Sequence, residues 1–322
     1  MRVDFSKFSS VKIGAELEVA ELNEVCDFDG FIIGNACNLL VGAPKQALAM
    51  LGGKFDYIKL DKDILRIGAK TSARDIFAFA KKHDLKGFEL CGSVPGSLGG
   101  LIKMNAGLKG RSISDTLLEV RTSNVTLSKD ECGFAYRKSD IKGVIFEAVF
   151  RAVKGFELCG SVPGSLGGLI KMNAGLKGHS ISDNLLEIST SSATLSKNEC
   201  GFAYRKSDIK GVIFEAVFKA VKVFDEGLLA EFSEARKNQP KGASFGSIFK
   251  NPPNDSAGRL IEAVGLKGYK TSNCELSAKH ANFLINHGKG SFDEALWLIN
   301  LAKSKVKESF GIELETEVVI LN

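Results

Sequence analysis

The chain has 322 residues, 44% of them hydrophobic and 25% charged, with a net charge of +5. That balance supplies a full core and excludes a disordered chain, and the charge is scattered without a dense Lys/Arg block, which favours small anionic ligands over nucleic acid or a membrane. No run approaches the roughly 18 apolar residues of a membrane span, the start lacks an apolar signal core, and the seven cysteines show no C-x-x-C spacing, so reduced thiols in a cytoplasmic protein are expected.

Phe31–Ile33 reads as a short strand stopped by Gly34, and Phe55–Leu60 with Ile64–Ile67 as two strands joined by a tight turn. Ser72 with Asp75 predicts the start of a helix whose apolar face is Ile76, Phe79 and Ala80 and which ends at Gly87. Leu117–Val120 and Val144–Phe150 read as further strands. Leu228–Arg236 and Ser256–Val264 read as helices, the first broken by Pro240-Lys241-Gly242. Ser291 and Glu294 make a capping-box pattern for a last helix carrying Phe292, Leu296, Ile299 and Val306; Trp297 on it is expected in the core. Gly311 ends that helix, and Ile312–Leu321 is expected as a strand. Helices and strands mix without a strict βαβ rhythm, which predicts an α+β fold with a boundary near Lys222.

A 68-residue segment, Lys86–Val153, returns as Lys154–Val221 with eight changes: Arg111/His179, Thr116/Asn184, Val120/Ile188, Arg121/Ser189, Asn124/Ser192, Val125/Ala193, Asp130/Asn198 and Arg151/Lys219. Two long units do not make a solenoid, whose repeats of about 20 to 50 residues need roughly three copies. A tandem duplication inside an ordinary enzyme fits better. Copy one follows the N-terminal strands directly, so it is expected to complete the first domain. Copy two is then a tethered extra exposing apolar strands such as Val212–Phe218, which opens a route to a domain-swapped dimer of an otherwise monomeric protein.

Each copy opens on a small-residue loop, Gly92-Ser93-Val94-Pro95-Gly96-Ser97-Leu98-Gly99-Gly100 in the first. Such a loop suits a pyrophosphate, yet it matches neither a P-loop nor G-x-G-x-x-G, and glycines mostly serve tight turns. Met104-Asn105-Ala106-Gly107 and Gly34-Asn35-Ala36-Cys37-Asn38 are similar surfaces that, taken singly, read as structural. No His/Cys/Asp cluster has metal-ligand spacing, so no metal site is expected; His280 and His287 read as satisfied polar residues.

In order, G-x-P-G-S-x-G-G, M-N-A-G, F-x-Y-R-x-S, Gly246-Ser247-Ile248-Phe249-Lys250-Asn251-Pro252, K-H-A-N-F-L-I-N and L-E-T-E-V resemble the UDP-N-acetylenolpyruvoylglucosamine reductase (MurB) family over essentially the whole chain once one copy is set aside. The resemblance implies an FAD-binding domain of vanillyl-alcohol-oxidase type at 1–153, including copy one at 86–153, the duplicated segment at 154–221, and a smaller C-terminal α+β substrate domain at 222–322. It implies FAD, NADPH and a UDP-sugar substrate, with no nucleic-acid or membrane partner. Gly34, Asn35, Ala36, Cys37 and Asn38 would hold the flavin together with Gly92, Ser93, Pro95, Gly96, Ser97, Gly99, Gly100, Asn105 and Gly107. The second copy offers Gly160, Ser161, Gly164, Ser165, Gly168 and Asn173.

Ser247 matches the family's proton donor, with Lys250 a candidate to favour its alkoxide. Glu317 matches the catalytic glutamate, and Arg137 or Arg205 the arginine that would hold the substrate carboxylate. Tyr136 or Tyr204 and Asn251 would contact substrate. Cys37 stands where the family usually has serine. The alternatives are another flavin oxidoreductase of this fold or a protein disabled by the duplication.

Overall fold

A computed structural model describes residues 1–61, 64–151, 166–176, 179–210, 212–218 and 224–322. A hairpin of β1 (Arg2–Asp4) and β2 (Glu16–Glu18) brackets the one-turn helix α1 (Phe5–Phe8). Next come β3 (Ala20–Leu22), β4 (Phe31–Ile32), β5 (Leu39–Val41) and β6 (Leu48–Leu51); β3 and β4 flank β6 in parallel, while β5 waits for the end of the chain.

β7 (Ile58–Asp61) and β8 (Ile64–Gly68) pair antiparallel as predicted. Phe55, expected in the first of them, lies instead in a 3-10 turn, where its ring packs 4.7 Å from that of Phe146. Ser72 caps α2 (Ala73–Lys82) by accepting the Asp75 N–H at 3.1 Å. The helix ends at His83, whose ring stacks on Phe79, and not at Gly87. Gly87, at φ +99, answers a packing need, because a Cβ there would lie 2.6 Å from Thr116 Cγ2.

Copy one builds α3 (Leu98–Lys103), β9 (Gly107–Leu108), β10 (Arg111–Ser112), β11 (Leu117–Thr122), β12 (Thr126–Ser128) and β13 (Ile145–Arg151). β13 lies between β11 and β8 in a five-stranded sheet of order β12-β11-β13-β8-β7. It is covered on both faces, which is why Ile145–Phe150 is a near-unbroken apolar run with one paired acid. That acid, Glu147, receives the Tyr57 hydroxyl at 2.7 Å and pairs with Arg121 at 3.0 Å and Arg66 at 3.5 Å.

Copy two repeats the internal structure: α4 (Leu166–Lys171), β14 (Gly175–Leu176), β15 (His179–Ser180), β16 (Leu185–Thr190), β17 (Thr194–Ser196) and β18 (Ile213–Phe218). Among the described residues its sheet has three strands, β17-β16-β18, over a small core of its own that includes Leu169, Ile170, Leu185 and Ile188.

The chain then returns to the first unit. Phe224 sets its ring 5.7 Å from Phe77 and its N–H 3.0 Å from Asp84 Oδ1, and α5 (Glu226–Arg236) follows. The boundary expected near Lys222 lies outside the described residues.

The C-terminal part holds α6 (Ala257–Ala263), β19 (Cys274–Leu276), β20 (Leu284–Asn286), α7 (Phe292–Phe310) and β21 (Val319–Leu321). α7 buries Ala295, Leu298, Ile299, Ala302 and Val306 and stops at Gly311 in the left-handed region. Two expectations fail on this helix. Trp297 is 50% exposed, because the buried stripe runs along the opposite side. Glu294 does not close a capping box, since its carboxylate turns to Thr271 and to the Asn273 N–H at 2.6 Å. The strand expected over Ile312–Leu321 shrinks to β21, which pairs in parallel with β5. Among the described residues no helix is long and apolar enough to cross a membrane, no group could hold a metal, and the cysteines are free.

Candidate active site

The site forms where three sequence-distant segments meet. The segment Gly246-Ser247-Ile248-Phe249 is bridged on one side to Phe283 and on the other to Thr316, and the Ile248 carbonyl accepts the Glu317 N–H at 2.8 Å. Ser247 and Glu317 therefore stand on adjacent extended segments. Asn282 fixes this arrangement from below: its Oδ1 accepts the Phe249 N–H at 2.9 Å and its Nδ2 donates to the Phe249 carbonyl at 2.8 Å. The sequence singled out Asn282 only as part of a motif, with no role of its own.

Arg137 arrives from copy one. Tyr136 and Arg137 occupy the corner of a tight turn closed by reciprocal Ala135–Lys138 backbone hydrogen bonds, with Arg137 at φ +54. A non-glycine residue held there costs on the order of 1 kcal/mol and needs support. Asn105 provides it, donating to the Ala135 carbonyl at 3.2 Å, while Ser139 bonds the Lys103 carbonyl at 2.9 Å. The M-N-A-G and Y-R-x-S motifs are thus one structural piece.

From that turn Arg137 donates Nη1 to the Gly107 carbonyl at 2.9 Å and places Nε 2.9 Å from Glu317 Oε1. The Nε–H is not aimed at the oxygen, so the contact is an ion pair without a formed hydrogen bond. Burial of Glu317 pushes its carboxyl above the ordinary glutamate range, against the opposing pull of Arg137 and Lys250. The acid therefore keeps its proton more readily than an exposed glutamate. Lys250, considered for the Ser247 alkoxide, has its ammonium bonded to Glu315 and acts on Glu317 through its field. Asn251 is exposed and accepts the Ala257 N–H at 3.1 Å at the start of α6.

The second Tyr–Arg pair is not in this site. Tyr204 is 90% exposed and Arg205 lies exposed beside it on the separate unit. Gly168 and Asn173 lie in that unit too, where Asn173 holds the Ala203 carbonyl at 3.0 Å. Gly160, Ser161, Gly164 and Ser165 fall outside the described residues.

A flavin would need a cradle beside the Arg137–Glu317 pair, and the chain has one. Among the described residues the backbone N–H groups of Gly34, Asn35, Ala36, Cys37 and Asn38 donate no hydrogen bond within the chain. Ala36 sits at φ +46, which bends successive donors into the concave form that binds anions. This loop touches the glycine-rich loop: a Cβ on Gly34 would lie 2.2 Å from Ser97 Oγ. Asn38 Nδ2 also donates to the Glu317 carbonyl at 3.0 Å, tying the cradle to the acid. The donor set fits a pyrophosphate. Gly92 is exposed, although a Cβ on it would lie 2.6 Å from the Phe77 ring, and the Ser93 carbonyl is bonded by Arg236 of α5. Arg236 carried no signal in the sequence.

The fold is α+β with a smaller C-terminal part, and the chain is an oxidoreductase. A family model described as "UDP-N-acetylenolpyruvoylglucosamine reductase, C-terminal domain" matches residues 238–321. The chain is 42% identical to the UDP-N-acetylenolpyruvoylglucosamine reductase of Campylobacter jejuni strain RM1221 over 100% of both chains. It is 36% identical to that of Helicobacter pylori strain ATCC 700392 / 26695 over 99% of this chain and 98% of the relative. The crystal structure of UDP-N-acetylenolpyruvylglucosamine reductase (MurB) from Thermus caldophilus superposes with a TM-score of 0.68 at 25% identity, covering 100% of this chain and 98% of the other. The chain belongs to the UDP-N-acetylenolpyruvoylglucosamine reductase family.

Proposed function

We propose that the chain reduces the enolpyruvyl ether of UDP-N-acetylglucosamine enolpyruvate to UDP-N-acetylmuramate with NADPH and FAD, a step of peptidoglycan precursor synthesis in the cytoplasm. The observation that carries this reading is the Arg137–Glu317 pair standing beside a loop of unclaimed N–H donors. FAD, when bound, would supply the redox chemistry linking NADPH to the vinyl carbon of the substrate.

Everything else is the work of the chain's own backbone and side-chain groups. The N–H groups of Gly34–Asn38, with Gly96 and Ser97, would hold the pyrophosphate of the cofactor. Hydride addition leaves negative charge on the carbon beside the substrate carboxylate, and the Arg137 guanidinium would stabilise it. Ser247 Oγ gives its proton to that carbon. Glu317, whose carboxyl burial holds above the ordinary glutamate range, orients the substrate or shares in proton delivery. Asn105 and Asn282 act as positioning residues for Arg137 and for the Ser247 segment.

By this reading copy one completes a flavin domain at 1–153, residues 222–322 bind substrate, and 154–221 is a tethered extra on a monomer. A visible absorbance spectrum of the purified protein tests it. A flavin band that bleaches with NADPH and returns on adding the enolpyruvyl substrate is expected. Flavin that bleaches but is reoxidised only by oxygen would refute the substrate, and colourless protein would refute the cofactor.

A further inference from the structure

Among the described residues copy two repeats the strand order and register of copy one, and it exposes what copy one buries. The β16–β18 ladder repeats the β11–β13 register with the same two irregularities, Leu185↔Phe218 answering Leu117↔Phe150. Ser207 bonds the Lys171 carbonyl at 2.8 Å as Ser139 bonds that of Lys103 at 2.9 Å. Among the described residues β18 is an edge strand, whereas β13 is covered by β8. Val212, Phe214 and Val217 are 60%, 72% and 37% exposed; their counterparts Val144, Phe146 and Val149 are each 3% exposed.

What covers that face is visible in the same molecule. Phe146 packs on Phe55 and gives its carbonyl to the Ala69 N–H at 2.9 Å, and Val149 lies opposite Arg66 of β8. We propose that the second unit is a rival occupant of the single seat formed by β7, β8 and Phe55. The chain then folds into two arrangements of one architecture, with copy one seated in most molecules and copy two in a minority. In the second arrangement β18 lies on β8, Phe214 packs on Phe55, and residues 86–153 become the tethered extra. Either arrangement loops out 68 residues at one place, so loop-closure entropy does not choose between them.

The eight differences choose instead. Arg121, which pairs with Glu147 at 3.0 Å, is Ser189 in copy two, so a seated copy two leaves Glu215 without that guanidinium. Val120 becomes Ile188 at a fully buried core position. One charge-assisted contact of this kind favours copy one by about ten- to a hundredfold. Exchange after folding requires β13 to leave β8, a sub-global opening, so the ratio is set largely as the chain folds.

The test is disulfide trapping in the full chain and is independent of activity and of the proposed reaction. Arg66→Cys with Val149→Cys reports copy one on β8, and Arg66→Cys with Val217→Cys reports copy two; peptide mass spectrometry quantifies each link. We expect the first pair to link nearly completely, which also shows that these variants fold, and the second to link within the same chain in about one to ten per cent of molecules. Adding Ser189→Arg restores the missing guanidinium and raises the second link several-fold. As a second probe, Phe214→Cys should label with maleimide in two phases, the slow one matching the linked fraction. The proposal is overturned if no intrachain 66–217 link forms, if it forms only between chains, or if Ser189→Arg leaves its yield unchanged.

Discussion

Glu317→Gln removes a charge and keeps the shape, which makes it a sharp probe of the site. At 2.9 Å the attraction between Arg137 and the ionised carboxylate is about 6 kcal/mol at an effective dielectric of about 20. Burial nevertheless outweighs that attraction together with the pull of Lys250, because the carboxyl is held above its ordinary range. The ionised form is therefore a net burden on the fold. A carboxyl raised in the folded state stabilises below its unfolded pKa of about 4.3, and that contribution disappears as pH climbs through the folded value.

Glutamine undergoes no such loss, so the variant should gain stability relative to the parent protein as pH rises from about 4 to about 8. Turnover should move the other way, falling about 10²- to 10⁴-fold if Glu317 takes part in proton delivery. Thermal unfolding across that pH range, with NADPH consumption measured on the same samples, reads both effects. A melting-temperature difference that is flat in pH, or that runs downward, would contradict dominance of burial. Turnover within about threefold of the parent would remove Glu317 from the chemistry.

Arg205→Ala should leave turnover within about twofold, whereas Arg137→Ala should lower it about ten- to a hundredfold and the double variant about 10²- to 10³-fold; equal small losses in the two single variants would contradict the assignment to copy one. Phe146→Ser should cost about 3 kcal/mol or more in denaturant unfolding, while Phe214→Ser, at a site 72% exposed, should change stability by about 0.5 kcal/mol or less; similar costs would mean that the second unit is packed after all. Gly96→Ala places a side chain at φ +148 and should lower the flavin absorbance of purified protein without unfolding it; full flavin loading would show that the loop tolerates the strain.

Local features were legible in the sequence where one short-range force decides them. The Ser72 and Ser291 caps and the Gly311 stop appear where spacing placed them, because each closes within one helical turn. Trp297 was misread for the complementary reason: Leu296 and Phe292 suggested one face, and packing against β19 and α6 selected the stripe through Leu298 and Ile299. The Arg137–Glu317 pair joins residues 180 apart in sequence, and no periodicity reports such a contact. Only the resemblance brought the two onto one list. Chain order favoured copy one, but the almost identical local surroundings of Arg137 and Arg205 do not choose between them; the choice lies in which unit adjoins β8 and in Arg121.

The pairing of β21 with β5 also sets a timetable. Val319–Leu321 are synthesised after both 68-residue units, yet they lie against Leu39–Val41, directly after the loop that would grip the cofactor. Asn38 can reach the Glu317 carbonyl only once that closing strand is available. Both 68-residue units precede that strand in synthesis and have time to fold first, so a late-made strand completes the candidate site whose first half was made early.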